Sequence, residues 1–148
     1  MTRRATNNDA HSVDVIFSLN IFGIDFRQIA TECSSIGVVV LVGIKTRGEF
    51  LARRMTEMIN SFEGSNVPCV AIDILPWHDE ESKRSQTIEP LGIDVKDKII
   101  VLVDDVLHKG RTVRAAMDGI MHFGRAKEIH LAVLVDRGHR ELPIRADY

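Results

Sequence analysis

Cysteine is scarce in this chain, which has two among 148 residues. Cys33 and Cys69 stand alone, without a CxxC pair or a histidine at ligand spacing. A disulfide framework or a zinc site needs clustered cysteines, so the sequence argues against both classes of site. The expectation is two buried thiols in a reducing compartment.

Long hydrophobic runs are also missing. The longest apolar stretch outside the predicted strands, residues 13–26, is interrupted by Asp14, Asn20 and Asp25 and is too short to cross a bilayer. No small-residue cleavage site follows it, so it does not resemble a signal peptide. We therefore expect a cytoplasmic protein with no membrane contact.

Charge of one sign is not in excess. The chain has 19 Lys and Arg residues against 21 Asp and Glu residues, a net charge of −2. A nucleic-acid partner would therefore need a local basic patch. The hydrophobic content of 45% is enough for the core of one domain. We expect a flexible amino-terminal segment, residues 1–12, followed by a single domain over residues 13–148.

Apolar segments of two kinds alternate along the chain. Continuous apolar runs predict strands at residues 38–44, 67–75, 99–103 and 128–135. Helical spacing appears between them, in Phe50, Leu51, Met55, Met58, Ile59 and Phe62 before Gly64, and in Ala116, Met117, Ile120 and Met121 before Gly124. This alternation predicts an α/β fold with an open parallel sheet flanked by helices.

One long segment does not fit this alternation. Residues 76–98 are polar and charged and contain Trp77, the only tryptophan. We expect a surface excursion outside the core, because loops of this length are usually functional lids or disordered.

Two adjacent carboxylates follow the third predicted strand. Asp104 and Asp105 fall at its carboxyl end, where open α/β sheets bind ligands. Both can accept hydrogen bonds from vicinal ribose hydroxyls. Gly110 then permits a tight turn, and Thr112 lies where a helix begins, so free N–H groups can point at a phosphate. The order predicts a ribose phosphate site, sugar first and phosphate second.

A second anion-binding segment leaves the first predicted strand. Residues 43–48 read GIKTRG, and Lys45 and Arg47 flank Thr46. Because the carboxyl ends of parallel strands meet at one edge, we expect this segment to lie beside the two aspartates. Arginine suits bidentate contacts to a phosphate.

These segments resemble the type I phosphoribosyltransferases, whose signature for phosphoribosyl diphosphate (PRPP) is an apolar strand, two acidic residues and a Thr/Ser-Gly-x-Thr loop. The sequences GIKTRG at 43–48, DDVLHKGRTVRAAMD at 104–118 and LAVLVDRGHRELPIRADY at 131–148 narrow the resemblance to the PyrR family. Members of this family are regulators that bind the mRNA of pyrimidine biosynthesis genes and respond to uridine nucleotides. Many also act as uracil phosphoribosyltransferases.

The resemblance implies a type I phosphoribosyltransferase fold, with PRPP, uracil, uridine nucleotides and leader mRNA as partners. Mg²⁺ would arrive with PRPP, held by diphosphate oxygens, with the carboxylates acting through water. Asp104 and Asp105 point to opposite sides of an extended backbone, so no metal site of their own is expected. Exposed apolar residues in the amino-terminal third would suit a homo-oligomer.

The resemblance also implies roles for individual residues. The catalytic residues are Arg47, Asp104 and Asp105. The residues that bind PRPP or UMP are Thr46, Arg47, Asp104, Asp105, Val106, Leu107, His108, Lys109, Gly110, Arg111 and Thr112. Those bordering the base and diphosphate are Asp136 and Arg137. RNA contacts come from His139, Arg140 and Arg145, in a segment expected beyond the loops that hold the ribose phosphate.

Lys109 departs from the family pattern, which usually has Thr or Ser at this position, and we expect weakened or altered phosphate binding. Two alternatives to the RNA-binding regulator stay open: a plain phosphoribosyltransferase, and a nucleotide sensor without turnover. Lys109 favours the sensor, whereas residues 138–148 favour the regulator. His78 and His108 receive no catalytic role, because phosphoribosyl transfer depends mostly on positioning and charge stabilisation.

Overall fold

Four parallel strands form one sheet in the computed structural model, which describes residues 39–148. The strands are β1 (Val39–Ile44), β2 (Cys69–Ile72), β3 (Ile99–Leu107) and β4 (Glu128–Asp136), in the order β2-β1-β3-β4. Helix α1 (Arg47–Glu63) joins β1 to β2, and α2 (Arg111–Phe123) joins β3 to β4. The predicted open parallel sheet is confirmed. The predicted flexible segment 1–12, Cys33 and residues 13–26 lie outside the described residues.

The two helices cover opposite faces of the sheet. Leu51, Met55 and Ile59 of α1 pack on one face, in a cluster with Leu41 and Val101. The other face carries Val113, Ala116 and Ile120 of α2, packed with Val40 and Leu102. Alternate residues of β1 and β3 serve the two clusters, so both strands are buried on both sides and appear in the sequence as unbroken apolar runs.

The helix ends follow the glycine signals. Gly64 ends α1 in the left-handed conformation, with φ of 59°. At the end of α2 the Gly124 N–H donates to the Ile120 carbonyl at 3.2 Å. Two residues predicted on the apolar faces lie outside them, because Phe50 is 63% exposed and Met121 is 55% exposed. Both point away from the side of the helix that carries the buried residues, although each is next in sequence to a buried residue, Leu51 or Ile120.

Strand β2 is shorter than the predicted 67–75. The Asp73 carboxylate accepts a hydrogen bond from the Leu75 N–H at 2.9 Å, which turns the chain out of the strand. A 3₁₀ turn, Leu75–Trp77, follows at once. Strand β3 is longer than predicted and runs to Leu107, so the two aspartates lie within its last four residues and not after its end.

The segment between β2 and β3 is anchored on the core, contrary to the expectation of a surface excursion. Leu91 and Val95 are buried, with 7% and 0% exposure. The Trp77 ring packs on α2, edge to face with Phe123 at 5.9 Å between centroids. Such isolated apolar residues in a charged segment show no periodicity, so the sequence pattern missed them.

The last twelve residues, 137–148, form a tail without helix or strand that turns back over the sheet. Near its start, the Arg137 N–H donates to the Leu107 carbonyl at 2.8 Å, and at its end the Val133 N–H donates to the Tyr148 carbonyl at 3.1 Å. The tail therefore runs from the carboxyl edge of the sheet to the outer side of β4. Within residues 39–148, none of the helices combines the length and apolar character needed to cross a membrane.

Candidate active site

The loop between β1 and α1 lies directly against β3. A Cβ atom on Gly48 would fall 2.2 Å from the Val103 carbonyl oxygen, and one on Gly43 would fall 2.5 Å from the Glu49 Cα. The absence of a side chain at both positions therefore lets α1 begin beside the two aspartates. The peptide bond between Lys45 and Thr46 is cis. Thr46 is exposed, and Lys45 pairs with Glu89 at 3.0 Å.

The structure brings Arg47 and Asp105 together. The Arg47 Nη1 lies 3.2 Å from the Asp105 Oδ2, although the two residues are 58 positions apart in sequence. Arg47 is the first residue of α1, and its side chain is 83% exposed. The guanidinium therefore remains open to an anion on its solvent side.

Asp104 lies in a different environment from its neighbour. Its side chain is buried, and its Oδ1 accepts a hydrogen bond from the Asp105 N–H at 2.9 Å. The pKa of Asp104 is raised to about 7, mainly by burial and also by the charge of Asp105, while the Asp105 N–H and Arg47 act in the opposite direction. Asp104 therefore holds or releases a proton near neutral pH.

The phosphate loop, residues 107–112, lines a cavity of about 580 Å³ together with residues 78–80. Gly110 takes φ of 92°, and α2 begins at the next residue. The Arg114 N–H makes a helical bond to the Gly110 carbonyl at 2.9 Å. The N–H groups of the preceding turn carry the partial positive charge of the helix amino terminus, which favours a phosphate.

Carboxylates from two other segments neutralise the cations of the phosphate loop. Arg111 pairs with Asp79 and with Glu141, each at 2.5 Å, and Lys109 pairs with Glu141 at 3.1 Å. Asp79 and Glu141 could not be predicted from the sequence, because both lie about thirty positions from Arg111 and no local spacing links them. A phosphate entering the cavity competes with these two carboxylates.

His108 and His139 lie close together beside the same loop. Their rings are 6.2 Å apart and nearly perpendicular. Burial lowers the pKa of His108, and the positive charges of Arg137 and Lys109 lower it further. The neutral imidazole is therefore the favoured form of His108 at neutral pH.

The tail residues predicted to contact RNA differ in accessibility. His139, with φ of 57°, is exposed, as are Arg137 and Arg145. Arg140 instead turns inward, where its guanidinium bonds to the Asp136 carboxylate and to backbone carbonyls. The expectation that this segment lies beyond the phosphate loop is wrong, since the Glu141 N–H donates to the Lys109 carbonyl at 3.0 Å.

Between residues 39 and 148 no group of three or more His, Cys, Asp or Glu side chains is placed to hold a metal ion. Cys69 is half-buried, and burial raises the pKa of its thiol.

Comparison with known sequences shows the family. A model of the phosphoribosyl transferase domain matches residues 12–148. The Bifunctional protein PyrR of Bacillus cereus is 54% identical, over 82% of this chain and 71% of that protein. The PyrR protein of Halalkalibacterium halodurans is 44% identical, over 99% of this chain and 76% of that protein. The chain spans 63% of the Pyrimidine operon regulatory protein of Lactococcus lactis, with 53% identity.

Solved structures agree on the fold. A purine phosphoribosyltransferase from Pyrococcus horikoshii superposes with a TM-score of 0.62 at 24% identity, over 95% of this chain and 81% of that one. A hypoxanthine phosphoribosyltransferase from Trypanosoma cruzi, in complex with IMP, gives a TM-score of 0.65 at 18% identity, over 83% of this chain and 68% of that one. The chain therefore belongs to the phosphoribosyltransferase domain family and, within it, to the PyrR family.

Proposed function

We propose that the protein is a PyrR-type regulator of pyrimidine biosynthesis genes that binds leader mRNA in response to uridine nucleotides. We also propose that it converts uracil and PRPP to UMP and diphosphate. The observation that carries the proposal is the meeting of Arg47, the two aspartates and the phosphate loop at one edge of the sheet. Its support from relatives is the name Bifunctional protein PyrR at 44% to 54% identity.

Each part of this edge has a task in the transfer. A uracil nitrogen loses its proton to solvent and attacks the anomeric carbon of PRPP. The bond from that carbon to diphosphate breaks, and positive charge develops on the ribose. Asp104 and Asp105 accept hydrogen bonds from the ribose hydroxyls and oppose that charge. Arg47 and Thr46 hold the diphosphate, while the N–H groups of the phosphate loop hold the 5′-phosphate. Asp136 and Arg137 border the base.

The site suits a Mg²⁺ ion that enters already bound to PRPP. The donors nearby are the oxygens of Asp104 and Asp105, and Mg²⁺ prefers oxygen ligands while keeping several waters. Bound to PRPP, the ion would neutralise charge on the departing diphosphate. The carboxylates would act on it through water.

The same proposal covers the domain organisation, the oligomeric state and the cellular location of the protein. It comprises a flexible segment over residues 1–12, one domain over residues 13–148, a homo-oligomeric assembly and a cytoplasmic location. Size-exclusion chromatography with light scattering tests the assembly, and limited proteolysis tests the flexible segment. A monomer, or a protease-resistant amino terminus, would contradict the corresponding part.

The activity is tested with the purified chain, uracil, PRPP and Mg²⁺, with UMP as the measured product. The double variant Asp104→Asn with Asp105→Asn is expected to lose PRPP binding in isothermal titration while its circular dichroism is unchanged. Asp94→Asn, which alters a carboxylate of another segment, is the control. Undiminished PRPP affinity in the double variant would contradict the site.

A nucleotide sensor without turnover is the second candidate, and Lys109 favours it. Lysine offers an ammonium at a position where the family usually offers a hydroxyl, and here the ammonium is held by Glu141. If the phosphate loop is otherwise sound, Lys109→Thr raises the rate of UMP formation because it returns a hydroxyl to the 5′-phosphate. UMP binding without UMP formation, in both the parent and Lys109→Thr, would establish the sensor instead.

A further inference from the structure

We propose that Arg140 is a positioning residue that shapes the phosphate loop, and that it is not an RNA contact. The proposal deepens the proposed function and rests on it, because the ligand concerned is the 5′-phosphate of that site. It assigns to the tail a part in holding PRPP or UMP.

The Arg140 guanidinium is occupied by four acceptors. Its Nε donates to the Ile144 carbonyl at 2.7 Å, and its Nη1 donates to the carbonyls of His108 at 2.8 Å and Gly138 at 3.3 Å. Its Nη2 pairs with the Asp136 Oδ2 at 2.5 Å. The side chain is only 22% exposed. An arginine engaged in this way has little left to offer an RNA phosphate.

The bond to His108 belongs to a series along the phosphate loop. Three consecutive carbonyls of the loop accept hydrogen bonds from the tail: Leu107 from the Arg137 N–H at 2.8 Å, His108 from Arg140, and Lys109 from the Glu141 N–H at 3.0 Å. The first and third donors are backbone groups. The bond from Arg140 is therefore the one of the three that a side-chain substitution can remove.

The direction of these carbonyls decides where the loop's donors point. A trans peptide unit holds its C=O and N–H antiparallel, so a carbonyl turned toward the tail turns the following N–H away from it. The N–H groups concerned belong to His108, Lys109 and Gly110, all of which line the cavity. Arg140 thus helps to arrange consecutive N–H groups into an anion-binding concavity without touching the ligand.

Arginine suits this task for a reason that lysine does not share. Its planar fork presents five donors in fixed directions, so it can bridge carbonyls of both the tail and the loop while paired with Asp136. A lysine ammonium carries the same charge but cannot span the same acceptors. The two residues are interchangeable at a simple RNA phosphate contact and different at a positioning site.

The test compares Arg140→Lys and Arg140→Gln with Arg125→Gln, an arginine in the turn between α2 and β4. Three quantities are measured on the full chain: the KM and kcat for PRPP with uracil, amide hydrogen exchange by NMR, and the salt dependence of leader-RNA binding. We expect both Arg140 variants to raise the KM for PRPP about tenfold or more, with a smaller change in kcat. Arg125→Gln matches the parent.

Amide hydrogen exchange tests the role of Arg140 independently of whether the protein binds PRPP or forms UMP. In the ligand-free variants, the amides of Arg137 and Glu141 are expected to exchange about tenfold faster, because their acceptors lie on the released loop. The amide of Leu41 in β1, which donates to the Pro68 carbonyl and not to the tail, keeps the parent's rate, whereas global destabilisation would change it too. If the parent binds no PRPP, the proposed function fails and the exchange rates still decide the role of Arg140.

The opposite pattern would overturn the proposal. One such result is unchanged hydrogen exchange in both Arg140 variants. The other is an Arg140→Lys variant with the parent's KM and exchange rates, together with an Arg140→Gln variant whose salt slope of RNA binding is lowered by about one. If neither Arg140 variant folds, Asp136→Asn is used instead, because it weakens the ion pair that orients the Arg140 guanidinium and keeps the arginine. Faster exchange at Arg137 and Glu141 supports the proposal there, and unchanged exchange contradicts it.

Discussion

Two carboxylates adjacent in sequence have unlike surroundings. Consecutive strand residues point to opposite faces of a sheet, so Asp104 is directed into a buried position while Asp105 meets Arg47. Burial raises the pKa of Asp104 to about 7, whereas Asp105 forms an ion pair at 3.2 Å. The pair therefore offers one carboxyl that titrates near neutrality and one that is held by a cation.

The buried carboxyl makes stability depend on pH. The folded-state pKa of Asp104, about 7, lies above its ordinary value of 3.8, so the folded protein binds more protons between the two and loses stability as pH rises through this range. We expect Asp104→Asn to stabilise the protein by on the order of 2 kcal/mol at about pH 8. Urea unfolding at several pH values measures the gain.

The gain should shrink as the pH falls toward 4, where Asp104 is protonated in the folded state and increasingly so in the unfolded state. Asp94→Asn, in the segment between β2 and β3, is the matched control. A gain from Asp104→Asn that is the same at all pH values would show that the carboxyl does not titrate in this range.

Glu141 pairs with two cations of the phosphate loop, Lys109 and Arg111. Glu141→Gln is expected to tighten PRPP binding by up to about fivefold, because the ligand no longer has to break two exposed ion pairs. Isothermal titration measures the change, with Glu57→Gln on α1 as control. Weaker binding would mean that Glu141 supports the loop more than it competes with the ligand.

At the scale of elements, close backbone approach decides where the site lies. Gly43 and Gly48 let the first turn of α1 pack on β3, which places Arg47 next to Asp105. The segment between β2 and β3 contributes through Trp77, which packs on α2, and through Asp79, which pairs with Arg111. Loops and helix starts therefore form the site around two buried strands, β1 and β3.

Two glycine substitutions distinguish the cost of a steric clash between backbones from the cost of a left-handed backbone conformation. Gly48→Ala would place a methyl group 2.2 Å from the Val103 carbonyl oxygen, whereas the Cβ of Gly64→Ala meets no atom within 4 Å and suffers only from its φ of 59°. We expect Gly48→Ala to cost about 3 kcal/mol or more and Gly64→Ala about 1 kcal/mol. Thermal and urea unfolding measure both, and equal costs would contradict the close packing of α1 on β3.

At the scale of the whole molecule, the tail joins the carboxyl edge of the sheet to the outer side of β4. It contacts residues 107–109 on the way, so the segment proposed to bind RNA also touches the loop proposed to hold the 5′-phosphate. Lys109, Arg111 and Arg140 are all paired with carboxylates. With a net charge of −2, any RNA affinity must come from a local group of exposed cations.

Arg145 is the exposed tail arginine farthest along the chain and gives the sharpest test of RNA binding. We expect Arg145→Gln to weaken leader-RNA binding and to lower the log–log salt slope by about one unit, because one phosphate contact is lost. Filter binding at several salt concentrations measures this, with Arg125→Gln as control. Binding as tight as the parent's, or no preference of the parent for leader RNA, would favour the plain transferase or the sensor.

Much of the fold could be predicted because its signals are local. The buried strands β1 and β3 appear as continuous apolar runs, and Gly64 marks the end of α1 because glycine adopts its left-handed backbone conformation freely. The order of apolar strand, two aspartates and glycine turn likewise indicates the nucleotide loop from the sequence alone. Its ligand roles stay a prediction that the experiments above address.

Only the tertiary structure decided which partners the charged residues of the site have. Arg111 meets Asp79 and Glu141, and Arg140 meets the His108 carbonyl, over separations of about thirty positions that no periodicity records. The burial that raises the pKa of Asp104 depends in the same way on how the sheet and helices pack around it. Helix and strand patterns arise from neighbours along the chain, whereas ion pairs, burial and loop direction arise from contacts that exist only once the chain has folded.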